Sequence, residues 1–430
     1  MKNRFNNILG YIYKLESKIA FYPTLLSLAG IGFAFIMYYL ESRGISGYLV
    51  KNAPLLVVND TETARTLLTT FIAGLISIMV FSFSMVMILL NQASSNFSPR
   101  VLPGLISNSR HQFILGIYNA SLLYCIFTLV AIEPNGNQYQ LPGFSVLLSI
   151  GSMTLCLGAF IYFIHSISQE IQVNNIMDRI YTTAKTRLQY LIDEEKYTDV
   201  NFPNSKEWEV VESIKSGYLS HISLASIKEI ASDSEIKFSI IQPKGKFIQK
   251  GMPILSFSKA LDEDSLEAVM SAFHFSKSEL IEDNYILAFN QITEIAIKAM
   301  SPGINDPGTA LNAIDYLTEL FALRLRKRDT SYVFNDEDEA LISVNTINFD
   351  VLFYNIMAYF RTYCKHDVVV VIKLLNMLIY LFNCEDISAS DYKSTIKKEL
   401  ELLYKDTKAA LKNKTDLEHI ESIYNSAMAT

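Results

Sequence analysis

The chain has 430 residues, half of them hydrophobic, with 37 Lys+Arg against 44 Asp+Glu and a formal net charge of −7. That balance excludes the broad phosphate neutralisation on which nucleic-acid binding rests, so no nucleic-acid partner is expected. Its 4 cysteines show no close Cys/His spacing, which excludes a disulfide framework or a zinc site as the basis of the fold. No metal or cofactor is expected.

The apolar residues are clustered. Residues 20–40, 67–90, 113–132 and 144–164 form four runs without a charged residue. Each is close to the ~20 residues that a membrane-spanning helix needs. Four such runs in succession predict a transmembrane domain over residues 1–170 with the lipid bilayer as its partner. The first run is too long for a signal peptide, and no A-x-A site follows it closely. Lys2, Arg4, Lys14 and Lys18 precede the first run, Arg100 and Arg110 lie between the second and third, and Arg179, Lys185 and Arg187 follow the fourth. The loop EPNGNQYQLPG after the third run has neither Lys nor Arg. Positive residues favour the cytoplasm, so both termini are expected inside a bacterial inner membrane, although Arg43 and Lys51 in the first outer loop run against the pattern.

Within the second run, Thr70, Ser77, Ser84 and Asn91 recur every seven residues, and Ser95 extends them by one turn. On a helix they share one face. Two roles fit: packing against a neighbouring helix, for which Ala73 and Ser77 supply a small-xxx-small pair, or lining a pore in a symmetric oligomer. The runs carry no Asp, Glu, Lys or Arg, which argues against a coupled transporter but leaves a channel lined by hydroxyls and amides. Arg100, in Ser98-Pro99-Arg100, is an interface anchor. Three roles are open to it: binding lipid phosphate, pairing with the acidic remainder of the chain, or fixing topology. His165, near the end of the fourth run, is a candidate pH sensor or an incidental interfacial residue.

Residues 1–170 hold 9 Lys+Arg against 6 Asp+Glu, whereas residues 171–430 hold 28 against 38. An acidic cytoplasmic part suits either a solvated surface or attraction of inorganic cations. Ile167, Ile171, Ile176, Ile180 and Leu188 have helical spacing, so residues 171–206 read as a membrane-exit helix and linker that ends at the turn-rich NFPNS. The period then changes. WEVVES, GYLSHIS, EIKFSII and ILSFS alternate, and QPKGKFIQKGMP supplies turns between the last two. Residues 207–259 therefore form a small β module, similar to half of a biotinyl/lipoyl-type sandwich but without its modified Lys. Residues 260–430 read as a helical domain, with helices over 266–272, 284–300, 309–325, 342–363, 368–382 and 391–424. The last is charged enough for a surface or subunit contact. RLRKRDTSYVFNDEDEA reads as a solvated charged connector. The fold class is thus mainly α: a four-helix transmembrane domain followed by a cytoplasmic α+β region.

The segment SPGINDP interrupts two of these helices. The helix before it must stop ahead of Pro302, Gly303 is free to take a positive φ, and Asp306 followed by Pro307 caps the next helix. Ser301 and Asn305 either brace the turn or join Asp306 and Glu294 around an ion or polar ligand.

EIAIKAMSPGINDPGTALNAIDYL resembles the signature of a bacterial family of predicted membrane proteins, domain of unknown function number twenty-two fifty-four. FSPRVLPGLISNSRHQFILGIY, FIHSISQEIQVNNIM and SGYLSHISLASIKEIASDSEIKFSIIQPKGKFIQKGMPIL are similar to three further family segments. The resemblance runs from the second span to about Leu325. Family members often carry an Arg-Thr and Gln-Asp pattern before the signature; here HFSKSELIEDN stands in that place. The resemblance implies a membrane protein with a cytoplasmic domain and brings no activity.

No HExxH, P-loop, GxSxG or Rossmann pattern is present, so no catalytic residues and no enzyme activity are expected. The sequence points to a homo-oligomeric ion channel whose cytoplasmic domain assembles or gates it. The alternative is a non-conducting, membrane-anchored scaffold or sensor whose cytoplasmic domain binds a partner or ligand.

Overall fold

A computed structural model describes residues 21–52, 57–58, 60–96, 109–132, 142–170, 172–195, 200–276, 284–385 and 391–429. The chain divides into two compact units that meet between Gln172 and Val173.

The first unit contains α1 (Phe21–Ser42), α2 (Ile45–Asn52), α3 (Thr61–Asn96), α4 (Ser109–Val130) and α5 (Gly143–Glu170). Four of these helices are long and apolar enough to cross a membrane: Phe21–Ser42, Thr61–Gln92, Arg110–Val130 and Gly143–Gln169. They cover the four expected runs. α3 starts before its apolar run because Asp60 accepts the backbone N–H of Thr63 at 2.7 Å and caps the helix. Large apolar side chains such as Leu28, Phe35, Leu155 and Ile161 are exposed on the unit, as lipid-facing residues are.

Small residues let α1 and α4 approach closely. A Cβ on Gly30 would stand 2.7 Å from the Cα and carbonyl oxygen of Ala120, and one on Gly116 would stand 3.1 Å from the Tyr22 carbonyl. α4 and α5 meet where Cys156 Sγ donates to Ser121 Oγ at 3.3 Å and the Tyr124 hydroxyl donates to the Ser145 carbonyl at 3.1 Å. α5 has no acidic residue in its first turn, and α1 supplies one. Glu41 accepts from the Ser145 N–H and hydroxyl, both at 2.9 Å, and from Ser46 Oγ at 2.6 Å. Ser46 in turn accepts from the Phe144 N–H at 3.0 Å. A carboxylate against the positive end of a helix is stabilising.

In the second unit, α6 (Val173–Asp193) buries Ile176, Ile180, Ala184, Leu188 and Ile192 along one face. The single exit helix expected through Ile167 and Ile171 is not formed. α5 stops at Glu170 and α6 begins at Val173; Ile171 lies outside the described residues. β1 (Glu209–Glu212), β2 (Gly217–Ile222), α7 (Leu224–Ser234), β3 (Phe238–Ile240), β4 (Phe247–Ile248), β5 (Pro253–Phe257), α8 (Glu263–Ser271) and β6 (Phe273–Ser276) follow. Gly245 and Gly251, at φ 89° and 85°, make the two turns expected in QPKGKFIQKGMP.

Strands drawn from beyond residue 259 complete the sheets. Residues 330–345, read in sequence as connector and helix start, form a hairpin of β7 (Thr330–Phe334) and β8 (Ala340–Asn345). β8 pairs in parallel with β3, setting Phe238 beside Ile342 and Ile240 beside Val344. The larger sheet runs β1-β5-β3-β8-β7 and the smaller β4-β2-β6. Leu219, Ile227, Phe238, Ile254, Phe257, Val269 and Ile342 form the core there. The acidic run at the hairpin is its turn: Asn335 Oδ1 accepts the N–H groups of Glu337 and Glu339 at 3.0 and 2.8 Å, and Asp338 takes φ 62°.

The remaining helices are α9 (Tyr285–Ala299), α10 (Pro307–Leu325), α11 (Phe349–Tyr363), α12 (Val368–Phe382), α13 (Asp391–Ala410) and α14 (Lys414–Ala429). Phe289, Phe321 and Phe353 meet ring to ring, tilted at 4.6 Å and edge-on at 4.8 Å, and join α9, α10 and α11. Arg361 reaches Glu399 at 3.0 Å and Asp406 at 3.1 Å, tying α11 to α13. The long charged helix expected over 391–424 is two helices, broken after Ala410. α14 folds back so that Tyr404 stacks on Tyr424 at 4.1 Å and donates to Glu421 at 2.6 Å.

Candidate functional site

Two features of the structure have the character of a site, one in each unit. The first is the polar stripe on α3. Its buried residues are Ala64, Leu68, Leu75, Ser82 and Leu89. Thr70, Ser77, Ser84 and Asn91 each stand two positions after Leu68, Leu75, Ser82 and Leu89, and all four are exposed. Two residues turn a helix by about 200°, so the stripe points away from the face that α3 buries. Packing against the described helices of the same chain therefore does not account for it, and the Ala73/Ser77 pair is likewise exposed. Thr70, Ser77 and Ser84 donate to the carbonyls of Thr66, Ala73 and Val80 at 2.7, 2.9 and 2.9 Å. Their donors are satisfied along the helix, and their oxygens remain able to accept. The side chain of Ser95 and all of Arg100 lie outside the described residues.

The SPGINDP corner is built from internal hydrogen bonds. Asp306 accepts the Thr309 N–H at 3.2 Å and the Thr309 hydroxyl at 2.6 Å, with Pro307 in the first turn of α10. Asn305, not Gly303, takes the left-handed conformation, at φ 50°. The Asp306 N–H then reaches the Ala299 carbonyl at 2.8 Å, closing the turn across its base. Ser301 Oγ donates to the Lys298 carbonyl at 2.6 Å. Each of these contacts braces the turn. Glu294 lies within α9, five residues before its end. Among the described residues, no group of three or more His, Cys, Asp or Glu is placed to hold a metal ion.

The second feature was not anticipated. RLRKRDTS does not form a solvated connector: Arg324 and Lys327 are 0% and 1% exposed. Arg324 pairs with Asp329 and donates to the carbonyls of Lys327 at 2.6 Å and Ile347 at 2.9 Å. Its guanidinium also faces the rings of Phe349 and Tyr392 at 5.8 and 5.9 Å. Lys327 pairs with Glu195 at 3.5 Å and donates to Ser331 Oγ at 2.8 Å and the Arg328 carbonyl at 3.2 Å. Burial lowers the Lys327 ammonium below its ordinary value, against the pull of Glu195. Burial also raises the Tyr392 phenol to about 12.

Beside this buried network lies a cleft of about 810 Å³, walled by α6, the starts of α7 and α9, and the β7–β8 hairpin. Arg187, Tyr190, Glu194, Lys244, Arg328 and Tyr332 line it, together with Lys327 and Glu195. One sequence signal was available for the network. Leu317, Leu320, Phe321 and Arg324 are all buried and share one helical face, so Arg324 continues an apolar stripe. The cleft itself had no such signal, because its walls come from separate segments spread between residues 187 and 347.

Four apolar helices of spanning length, with lipid-type side chains on their outer faces, define an integral membrane protein that carries an α+β second unit. The chain belongs to the family described as "Predicted membrane protein (DUF2254)", whose model matches residues 16–380. An uncharacterized protein of Mycobacterium bovis is 24% identical over 400 residues, covering 90% of this chain and 75% of its own length. An uncharacterized protein of Mycobacterium tuberculosis matches with the same identity and coverage. No solved structure matches the chain.

Proposed function

We propose that the chain is a homo-oligomeric ion channel of the bacterial inner membrane, with both termini in the cytoplasm. α3 lines the path and the second unit assembles or gates it. One observation carries this reading: Thr70, Ser77, Ser84 and Asn91 face away from the protomer's own bundle. In a ring of copies such a face supplies layers of oxygen acceptors separated by Val80 and Ile88, a surface suited to inorganic cations. The reading assigns the chain no catalytic chemistry, cofactor or nucleic-acid partner.

The test is ion flux through purified protein in liposomes, with K⁺, Na⁺ and Cl⁻ gradients imposed separately. Selective flux above empty liposomes is expected, with a clear loss in Ser84→Leu/Asn91→Leu protein of unchanged oligomeric state. Flux that persists undiminished in that variant removes α3 from the path.

The second reading is a non-conducting membrane sensor, and the cleft in the second unit favours it. It predicts an intact oligomer with no flux under any gradient, and a ligand or partner held by residues 173–430.

A further inference from the structure

The second unit is acidic, with 28 Lys+Arg against 38 Asp+Glu over residues 171–430, yet the walls of its cleft reverse that balance. Arg187, Lys244, Lys327 and Arg328 line it against Glu194 and Glu195. Lys327 and Glu195 neutralise each other at 3.5 Å, which leaves the cleft with a cationic excess. Nε of Arg187 is buried without a hydrogen-bond partner among the described residues, while the guanidinium lies over the Tyr190 ring at 5.4 Å.

Two helices also begin at the cleft. Ser223, Leu224 and Ala225 at the start of α7 line it, as do Asn284, Tyr285 and Ile286 at the start of α9. Neither helix has an acidic residue in its first turn, and the Ser223 hydroxyl makes no cap hydrogen bond, pairing instead with Ser226 Oγ at 3.0 Å. Helix starts carry partial positive charge and so add to the field of the arginines, although at α9 the Ile286 N–H is already taken by Asn284 Oδ1 at 3.1 Å. Two tyrosines also line it: Tyr190, 54% exposed, on α6 and Tyr332 on β7. A volume of about 810 Å³ lies within the usual range for a small-molecule site.

We propose that this cleft binds a nucleoside diphosphate, with its phosphates against Arg187, Arg328 and the start of α7 and its ring against a tyrosine face. Anion recognition by guanidinium forks and helix starts fixes the phosphate end. The tyrosines give the flat end a surface to stack on. The site is a property of the second unit and does not depend on whether the chain conducts.

The experiment is calorimetric titration of the full chain in lipid nanodiscs with ADP, GDP, CDP and UDP separately, and with pyrophosphate and the four nucleosides. At least one diphosphate is expected to bind saturably, roughly tenfold or more tighter than its nucleoside and than pyrophosphate. Arg187→Gln/Arg328→Gln should weaken that binding by at least about tenfold at an unchanged melting temperature. If the double variant misfolds, Arg187→Gln alone is used, since Arg187 makes no ion pair among the described residues. Absence of saturable binding by all four diphosphates up to about 1 mM overturns the proposal. So does binding that the arginine variants leave unchanged, or a diphosphate that binds no tighter than its nucleoside or than pyrophosphate.

Discussion

Lys327 shows how much a single buried charge depends on its partner. Its ammonium and Glu195 are both withdrawn from solvent, at 1% and 6% side-chain exposure, and each keeps the other from being an isolated buried ion. Lys327→Met should therefore cost roughly 3–5 kcal/mol, whereas Lys327→Met/Glu195→Leu should be near neutral or stabilising. Chemical denaturation of the two proteins side by side checks this; equal losses in both would mean that Lys327 acts through packing alone. At the corner, Asp306 works as a cap. Asp306→Asn should leave stability nearly unchanged and Asp306→Ala should cost about 1 kcal/mol, measured in the same way. A charge-dependent ligand site would instead lose function in a stably folded Asp306→Asn protein. The cap was legible in the sequence because Asp-Pro ahead of a helix has few other physical uses. The left-handed residue was not, because Asn305 and Gly303 both tolerate that conformation and only the Asp306-to-Ala299 hydrogen bond selects between them.

Among the helices, α1 and α4 depend on close backbone approach. Gly30→Val would press its side chain into the Ala120 backbone, so a destabilisation of ~1–3 kcal/mol or more is expected, read as earlier unfolding in a detergent titration. The spans themselves were plain in the sequence, since ~20 uncharged residues have little alternative to crossing a bilayer. Their partners were hidden. Glu41 lies just beyond an uncharged run and reads as loop polarity until α5 is seen to begin against it. The same limit applied to β7 and β8. Their alternation is short, and the charges around them suggested solvent, but the cations turn inward and the acids form a tight hairpin turn. Helix periodicity also ran across two real breaks, at residue 172 and at residues 411–413, where the apolar spacing on either side is compatible with one continuous helix.

For the whole molecule, the channel reading places copies of the chain around α3. If the stripe faces other copies, Ser77→Cys in a Cys384→Ser background should crosslink between protomers in native membranes, and Leu75→Cys should not, because Leu75 is buried in its own bundle. The other three cysteines are buried, so the background is low. Crosslinking from position 75 but not from 77 would reverse the inferred orientation of α3. The pairing of β3 with β8 has a different kind of consequence. Ser239 and Ser343, hydrogen-bonded at 2.8 Å, are 104 residues apart in the chain. A ribosome making this protein releases β3 long before β8 exists. During that interval one side of β3 is an unpaired apolar edge, the kind of surface that recruits strands from other chains. Stalled or truncated products that end before Ala340 should therefore aggregate or be captured by chaperones, while slightly longer ones that include β8 can close the sheet.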